Sequence, residues 1–138
     1  MKMRGLFIFL LLILVIISGC NIKVSNNPYI KEAYSDPPYI DLSSDSSKIV
    51  YTIINPSKID FKGKIFPEFN KECFSYSQES YLVEVKSNSD KSGIMPIKKG
   101  YNLKSDCYKD QDIILRLSNE EGSLIYNSKT IKLKLIGN

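Results

Sequence analysis

The sequence contains no histidine and no tryptophan among its 138 residues. Histidine is the side chain that most often serves as a general base near neutral pH, and it is also the commonest zinc ligand. The sequence also has no Gly-x-Ser-x-Gly elbow, no phosphate-binding loop and no dinucleotide fingerprint. These absences exclude the common hydrolase and nucleotide-binding classes. We therefore expect no catalytic residue, no cofactor and no enzymatic activity.

Acidic residues are present, but their pattern does not indicate a metal site. Asp106, Asp110 and Asp112 lie close together and are interleaved with lysines. A helix-loop-helix calcium motif needs a central glycine and a terminal glutamate, and this stretch has neither. A solvated loop is therefore favoured over a calcium site, and no metal ligand is assigned.

The first residues have the three parts of an export signal. Lys2 and Arg4 begin it, an apolar run follows from Leu6 to Ile17, and small residues close it before Cys20. The apolar run has about a dozen residues, whereas a membrane-spanning helix needs roughly 20. Residues 1–19 are therefore predicted to be a signal peptide.

The junction Ile17-Ser18-Gly19-Cys20 resembles the lipobox of bacterial lipoproteins, in which an aliphatic residue, a small polar residue and Gly or Ala precede an invariant Cys. The resemblance implies that Cys20 becomes the first residue of the mature chain and carries a diacylglyceryl group with palmitate-like acyl chains. Each buried methylene contributes about 0.8 kcal/mol, so two chains form an effectively permanent anchor. The expected location is the extracytoplasmic face of the cytoplasmic membrane, or the outer membrane in a host that has one.

Three other interpretations of this segment stay open. The apolar run could be an uncleaved signal anchor. Cleavage at Arg4-Gly5, before the apolar run, would instead resemble prepilin processing and make the protein a membrane-anchored pilin-like subunit. The third interpretation is plain secretion after an ordinary signal-peptidase cut nearby, in which case the position of Cys20 would be a coincidence.

The charge of the mature chain gives no support for a nucleic-acid partner. The formal net charge is +4, and it falls by two when Lys2 and Arg4 are removed, because every acidic residue lies after Cys20. Binding to phosphates requires a clustered basic face. A membrane and a protein are therefore the expected partners.

Residues 20–38 are predicted to be a lipidated, flexible tether. They mix Asn, Ser and Lys with Pro28 and the pair Pro37-Pro38, without a sustained apolar period. Such a segment spans at most about 60 Å. The folded part, residues 39–138, is therefore expected to stay close to the membrane.

Beyond residue 38 the sequence alternates short apolar segments with turn-forming residues. The last segment is the clearest, because Ile131, Leu133 and Leu135 alternate with lysines. Pro96 predicts an edge position for its segment. About seven or eight short strands and no amphipathic helix of three turns indicate an all-β antiparallel sandwich. The predicted strands are 39–42, 48–54, 61–69, 81–87, 94–97, 113–117, 124–126 and 130–136.

Two of these segments carry a family resemblance. Residues 49–57, IVYTIINPS, and residues 61–65, FKGKI, resemble the strand, Asn-containing turn and next strand that open many immunoglobulin-like surface domains. These include the cell-adhesion-related type of archaeal and bacterial envelope proteins. The resemblance covers residues 39–136, and it implies an immunoglobulin-like sandwich of about seven strands that binds or supports other molecules.

Cys73 and Cys107 are the only cysteines left once Cys20 is lipidated. In an exported domain, two remaining cysteines favour a disulfide. Two buried free thiols are the alternative in a host that keeps its surface reduced.

All nine tyrosines lie after Cys20, and four of them are close in sequence to the remaining cysteines. Tyrosine is favoured in strands, and it is also favoured in interfaces because its ring packs while its hydroxyl stays hydrated. An ordinary sheet surface is the simpler interpretation of these four. The candidate binding surface consists of Tyr76, Tyr81, Tyr101 and Tyr108.

Together these features predict a non-catalytic, lipid-anchored extracytoplasmic module for binding, adhesion or accessory work in an envelope protein assembly. A small-ligand or carbohydrate-binding lipoprotein for uptake is the main alternative, and a pocket ringed by tyrosines would favour it. A flat exposed strand edge would instead favour contact with a protein. An envelope hydrolase would require two facing carboxylates in a cleft.

Overall fold

The computed structural model describes residues 25–41, 43 and 46–137, and no helix long and apolar enough to cross a membrane occurs among them. The predicted signal peptide and Cys20 lie outside the described residues. The described part forms nine strands and one short 3-10 helix, Ser105–Tyr108, which precedes β8. The strands are β1 (Tyr29–Asp36), β2 (Tyr39–Asp41), β3 (Ser46–Asn55), β4 (Phe61–Glu68), β5 (Phe74–Tyr76), β6 (Tyr81–Val85), β7 (Ser89–Lys99), β8 (Gln111–Asn119) and β9 (Ile125–Ile136).

The strands form two facing sheets. One sheet has the order β1-β3-β7-β5, and the other has the order β2-β9-β8-β4-β6. All pairings are antiparallel except that of β2 with β9, which is parallel. The predicted all-β, immunoglobulin-like sandwich is confirmed, although the described part has more strands than the seven expected.

The core lies between the sheets and follows from the alternation of inward and outward side chains, which is clearest in β4, β8 and β9. In β8, Ile113, Leu115 and Leu117 are completely buried, and in β9 the predicted inward residues are buried as well. The alternate positions of β9, including Lys132 and Lys134, are exposed. A shift of register by one residue would expose this apolar row, so the pattern fixes the pairing.

The first strand corrects the prediction of a long tether. Residues 29–36 pair with β3 from Tyr29 opposite Ile54 to Asp36 opposite Lys48, so they are part of the sandwich. A β-bulge between Ile30 and Glu32 shifts the alternation. Ile30 and Ser35 are therefore both buried although they are an odd number of residues apart, and the sequence shows no period.

Strand β1 also connects the two sheets. Its Ile30 amide donates a hydrogen bond to Asn127 Oδ1 at 3.0 Å, and the Ser35 hydroxyl donates to the Lys132 carbonyl at 3.4 Å, both on β9. After Pro37-Pro38 the chain crosses to the other sheet and runs beside β9 as β2. The N-terminal end of the folded part is therefore fixed to both sheets.

Strand β7 is longer and more central than predicted. It pairs with β3 from Ser89 to Lys98 and with β5 only at residues 97–99. The expected edge position of this strand is therefore wrong. Pro96 lies just before the residues of β7 that pair with β5. Within the described chain, no strand pairs with β7 at Pro96 on the side facing β5. Proline has no N–H to donate, so it needs a position where one side of its strand is unpaired, and Pro96 has such a position although β7 is not an edge strand.

Asn55 joins two loops at the end of β3, and its side chain is completely buried. Its Nδ2 group donates to the carbonyls of Ile59 at 2.8 Å, Val85 at 3.1 Å and Lys86 at 3.2 Å. Its Oδ1 atom accepts from the Ser57 amide at 3.2 Å. One side chain therefore holds the β3–β4 loop against the end of β6.

Asn55→Ala is expected to lower the free energy of unfolding by about 2–3 kcal/mol, because it removes several buried hydrogen bonds and leaves carbonyls without a donor. Urea denaturation followed by circular dichroism measures the change. Asn102→Ala, at an exposed loop position, is the matched control and should change stability by less than about 0.5 kcal/mol. Equal midpoints for the two variants would contradict the role assigned to Asn55.

Candidate interaction surface

The four tyrosines selected from the sequence do not form one surface. Tyr76 is half-buried and its ring packs against Phe69 at 5.3 Å. Tyr81 is half-buried with its hydroxyl 3.2 Å from Ser77 Oγ, and Tyr108 packs against the core. Tyr101 differs from them, because its side chain is 97% exposed. It is the member of the set that is fully available to a partner.

Tyr101 lies at the start of a loop, residues 100–110, that is fixed to the turn before β5. The Gly100 amide donates to the Cys73 carbonyl at 2.8 Å. A Cβ atom at Gly100 would lie only 2.4 Å from the Glu72 carbonyl oxygen, so only glycine permits this approach. Further along the loop, just before the 3-10 helix, Lys104 Nζ pairs with Glu72 Oε1 at 2.7 Å.

The predicted disulfide is confirmed and provides the strongest connection between the loop and the turn. Cys73 and Cys107 are bonded, with their Cα atoms 5.1 Å apart, and both are buried in the core. Cys107 belongs to the 3-10 helix in the middle of the loop. The backbone that carries Tyr101 is therefore held by a covalent bond, an ion pair and a main-chain hydrogen bond.

Lysines surround the exposed ring. A depression of about 390 Å³ on one side of Tyr101 is lined by Lys71, Glu72, Asn102 and Lys104. A second depression of about 200 Å³ is lined by Ser75, Lys98, Lys99 and Gly100. Both are partly open to solvent. We call this surface the Tyr101 platform, and define it as Tyr101, Lys71, Lys98, Lys99 and Lys104.

The lysines of the platform were not selected from the sequence. Lys71 and Lys104 lie within three residues of Cys73 and Cys107, so the disulfide brings them to the same place. The pair Lys98-Lys99 directly precedes Gly100-Tyr101. The sequence signal for Lys71 and Lys104 is therefore their proximity to the cysteines, and the signal for Lys98 and Lys99 is their position next to Tyr101.

The platform lies at the end of the sandwich opposite to the first described residues. Ser46, at the start of β3, pairs with Lys98, whereas Ile54, near its end, pairs with Tyr29. The intervening part of β3 spans roughly 26 Å at the rise of an extended strand. Tyr29 and the platform are therefore separated by about the length of the domain.

Two of the three aspartates weighed as calcium ligands, Asp106 in this loop and Asp112 on β8, lie in ion pairs with lysines. Asp106 accepts a hydrogen bond from Lys109 Nζ at 2.8 Å, and this contact lowers the pKa of the Asp106 carboxyl and raises the pKa of the Lys109 amine. Asp112 lies 3.4 Å from Lys132. Among the residues that the structure describes, no three His, Cys, Asp or Glu side chains gather as a metal site would require.

A second exposed surface follows the edge strand β6. Leu82 projects into solvent from the outer face, and the depression beside it, about 340 Å³, is lined by Lys62, Lys91, Glu84 and Glu120 among others. Because β6 ends its sheet, its outer main-chain groups are open to strand addition. The charges here are mixed, in contrast to the positive Tyr101 platform.

No family model matches this sequence, and no curated protein matches it. Solved structures resemble its fold. A Paenibacillus sp. cycloisomaltooligosaccharide glucanotransferase in complex with cycloisomaltoheptaose matches with a TM-score of 0.52 and 11% identity over 79% of this chain, which spans only 14% of the enzyme. The E. coli chaperone DraB matches with a TM-score of 0.47 and 14% identity over 80% of this chain and 55% of DraB. A C. elegans MSP family member, WR4, matches with a TM-score of 0.44 and 10% identity over 75% of this chain and 97% of WR4.

Proposed function

We propose that this protein is a non-catalytic, lipid-anchored module on the extracytoplasmic side of a membrane, where it binds another envelope protein through the Tyr101 platform. One observation carries the proposal. The Tyr101 ring is 97% exposed, yet its backbone is fixed to the domain by the Cys73–Cys107 disulfide and the Gly100 hydrogen bond. A rigid loop that presents an unpacked aromatic ring loses little conformational entropy when a partner covers it.

The chemistry of the platform indicates the character of that partner. Tyrosine is enriched among the residues that dominate binding energy, because its ring buries a large area and its hydroxyl keeps a polar contact. Four lysines and one glutamate, Glu72, line the two depressions around Tyr101, and Asp41 and Asp106 lie close enough to interact with Lys99 and Lys104. The lysines are therefore the more numerous charges. A complementary acidic surface would be attracted to the platform and oriented on it.

The predicted anchor would place the platform where a neighbouring protein can reach it. If Cys20 carries lipid, only the residues 21–28 separate it from β1. That segment reaches about 30 Å at full extension and about 17 Å as a flexible coil. The end with Tyr29 would face the membrane and the platform would point away from it.

The alternative of carbohydrate or small-ligand uptake has less support. That function requires a concave site with converging polar and aromatic groups. Within the described part of the chain, Tyr101 is the one aromatic side chain that lines the two depressions beside it, and the other three candidate tyrosines are partly buried and line neither of them. These features favour contact with a protein surface.

Tyr101→Ala is expected to reduce affinity for the partner by about tenfold or more, because truncation of a tyrosine that dominates an interface costs about 2 kcal/mol or more and about 1.4 kcal/mol corresponds to tenfold. Crosslinking in intact cells, followed by affinity capture of the full chain, measures the loss. Tyr34→Ala is the matched control, since Tyr34 is 51% exposed on β1, away from the platform.

Equal capture by the Tyr101 and Tyr34 variants would contradict the platform as the binding site. If capture returns no reproducible protein while the purified chain binds a sugar or peptide at micromolar concentration, the uptake function replaces the one proposed. Hydrolysis of an envelope polymer that a single carboxylate substitution abolishes would show that the protein is an enzyme.

A further inference from the structure

Two apolar side chains project from neighbouring loops at the end of the sandwich opposite to the Tyr101 platform. Ile59, in the β3–β4 loop, is 77% exposed, and Leu124, in the β8–β9 loop, is 53% exposed. Phe61 and Tyr126 follow them by two residues each, and their rings pack edge to face at 5.7 Å. The two loops are therefore adjacent.

This is also the end at which the described chain enters the sandwich. Tyr29 pairs with Ile54, and the β3–β4 loop begins directly after β3. Gly63 pairs with Asn119, which places the β8–β9 loop beside the start of β4. The N-terminal segment and the two exposed side chains thus share one end of the domain.

Both loops hold their backbones in place while leaving these side chains in solvent. The Ile59 carbonyl accepts from Asn55 Nδ2 at 2.8 Å and from the Ser57 hydroxyl at 2.7 Å. In the other loop, Asn119 and Leu124 exchange main-chain and side-chain hydrogen bonds at 3.0 and 3.1 Å. Ile59 and Leu124 are therefore exposed in turns whose backbones are fixed by hydrogen bonds.

We propose that Ile59 and Leu124 insert into the surface of the lipid bilayer and orient the domain, so that the Tyr101 platform faces away from the membrane. The inference rests on the anchor proposed at Cys20. Only the residues 21–28 separate that anchor from β1. A flexible chain of this length would span about 17 Å, which would keep the loops close to the lipid and give a weak apolar contact a high effective concentration.

The nearby charges indicate that the contact is apolar and not an attraction to anionic headgroups. Lys86 is paired with Asp60 at 2.9 Å and with Glu84 at 3.5 Å. Glu120 and Glu121 precede Leu124, and they offset Lys58 beside Ile59. Contact with vesicles of zwitterionic phosphatidylcholine should therefore persist at high salt, since screening weakens only charge-based attraction.

The test places the photoreactive residue benzoylphenylalanine at position 59, 124 or 94 of the full lipidated chain, reconstituted in phosphatidylcholine vesicles. Ile94 is the matched control, because it is 59% exposed on the outer face of β7, between the two ends. After irradiation, mass spectrometry measures phospholipid adducts. We expect adducts at positions 59 and 124 to exceed those at position 94 by at least fivefold, with and without 0.5 M salt.

The inference would be overturned by similar adduct yields at all three positions. It would also be overturned if a chain that carries lipid at Cys20 gave no adducts at positions 59 and 124. Either result would leave the proposed anchor intact. A chain without lipid at Cys20 would remove the proposed anchor and the inference with it. The intact mass of the same sample distinguishes these two failures. Double substitution of Ile59→Ser and Leu124→Ser should also lower adducts from a reporter at Tyr29 about threefold, whereas Ile94→Ser should not.

Discussion

Replacing both Cys73 and Cys107 with alanine is expected to lower the free energy of unfolding by about 4 kcal/mol. The disulfide joins residues that are 34 positions apart. In the chain-entropy description, a cross-link over such a loop removes about that much conformational freedom from the unfolded chain. For a domain of this size, the loss corresponds to a fall in Tm of more than about 15 °C.

Urea and thermal denaturation of the purified protein measure this effect. Wild-type protein under reducing conditions is the internal control, and it should unfold at nearly the same midpoint as the double variant. Unchanged midpoints in both the variant and the reduced protein would show that the bond does not stabilise the fold. Full alkylation of both cysteines in denatured, non-reduced protein would show that the bond does not form.

The same substitution tests how the platform functions. Without the bond, the loop 100–110 keeps its ion pair between Lys104 and Glu72 and the Gly100 hydrogen bond, but it loses its covalent connection to the turn. Partner capture should therefore weaken even at a temperature where the double variant is fully folded. Unchanged capture at that temperature would mean that rigidity of the loop does not matter for binding.

Cys20→Ala is expected to abolish processing and lipidation completely. By the lipobox resemblance, the Cys20 sulfur must receive the lipid before cleavage, so the variant should retain residues 1–19 as a precursor. Mass spectrometry of membrane-extracted protein decides the question. The wild-type chain should begin at Cys20 and carry added lipid mass, and the variant should carry none.

Ser18→Ala is the matched control for this experiment, because it keeps a small residue in the junction and leaves the cysteine in place. It should be processed like the wild type. A wild-type mature form without lipid would favour plain secretion, and an intact N-terminus would favour a signal anchor. Cleavage before the apolar run would favour the pilin-like interpretation.

The parts of the fold that the sequence predicted well are those in which burial alternates without interruption. In β4, in the middle of β8 and in the second half of β9, every second residue is buried, and each strand was predicted close to its observed place. Strand β1 was missed because its bulge interrupts the alternation, and β5 because it has only three residues. The first part of β7 is polar and gains its extended structure from pairing with β3.

The candidate site was predictable only in part for a related reason. The sequence indicated the disulfide and included Tyr101 among four tyrosines. Which tyrosine is exposed depends on contacts between distant residues, such as that of Gly100 with the turn at Cys73. Ile59 and Leu124 gave no signal, because an isolated apolar residue in a turn is common and its position relative to the N-terminus depends on strand pairing.

The path of the strands between the two ends of the domain determines how the protein would respond to mechanical force. A load applied at the Tyr101 platform and resisted at Tyr29 would run along β7, β3 and β1, parallel to their axes. The hydrogen bonds of the two ladders would then be sheared together and could not be opened one after another. Rupture under force is governed by the unfolding rate, and shear across both ladders would keep that rate low. If the chain is anchored at its N-terminal end and bound at the platform, the same two ladders would carry the load between those points in shear.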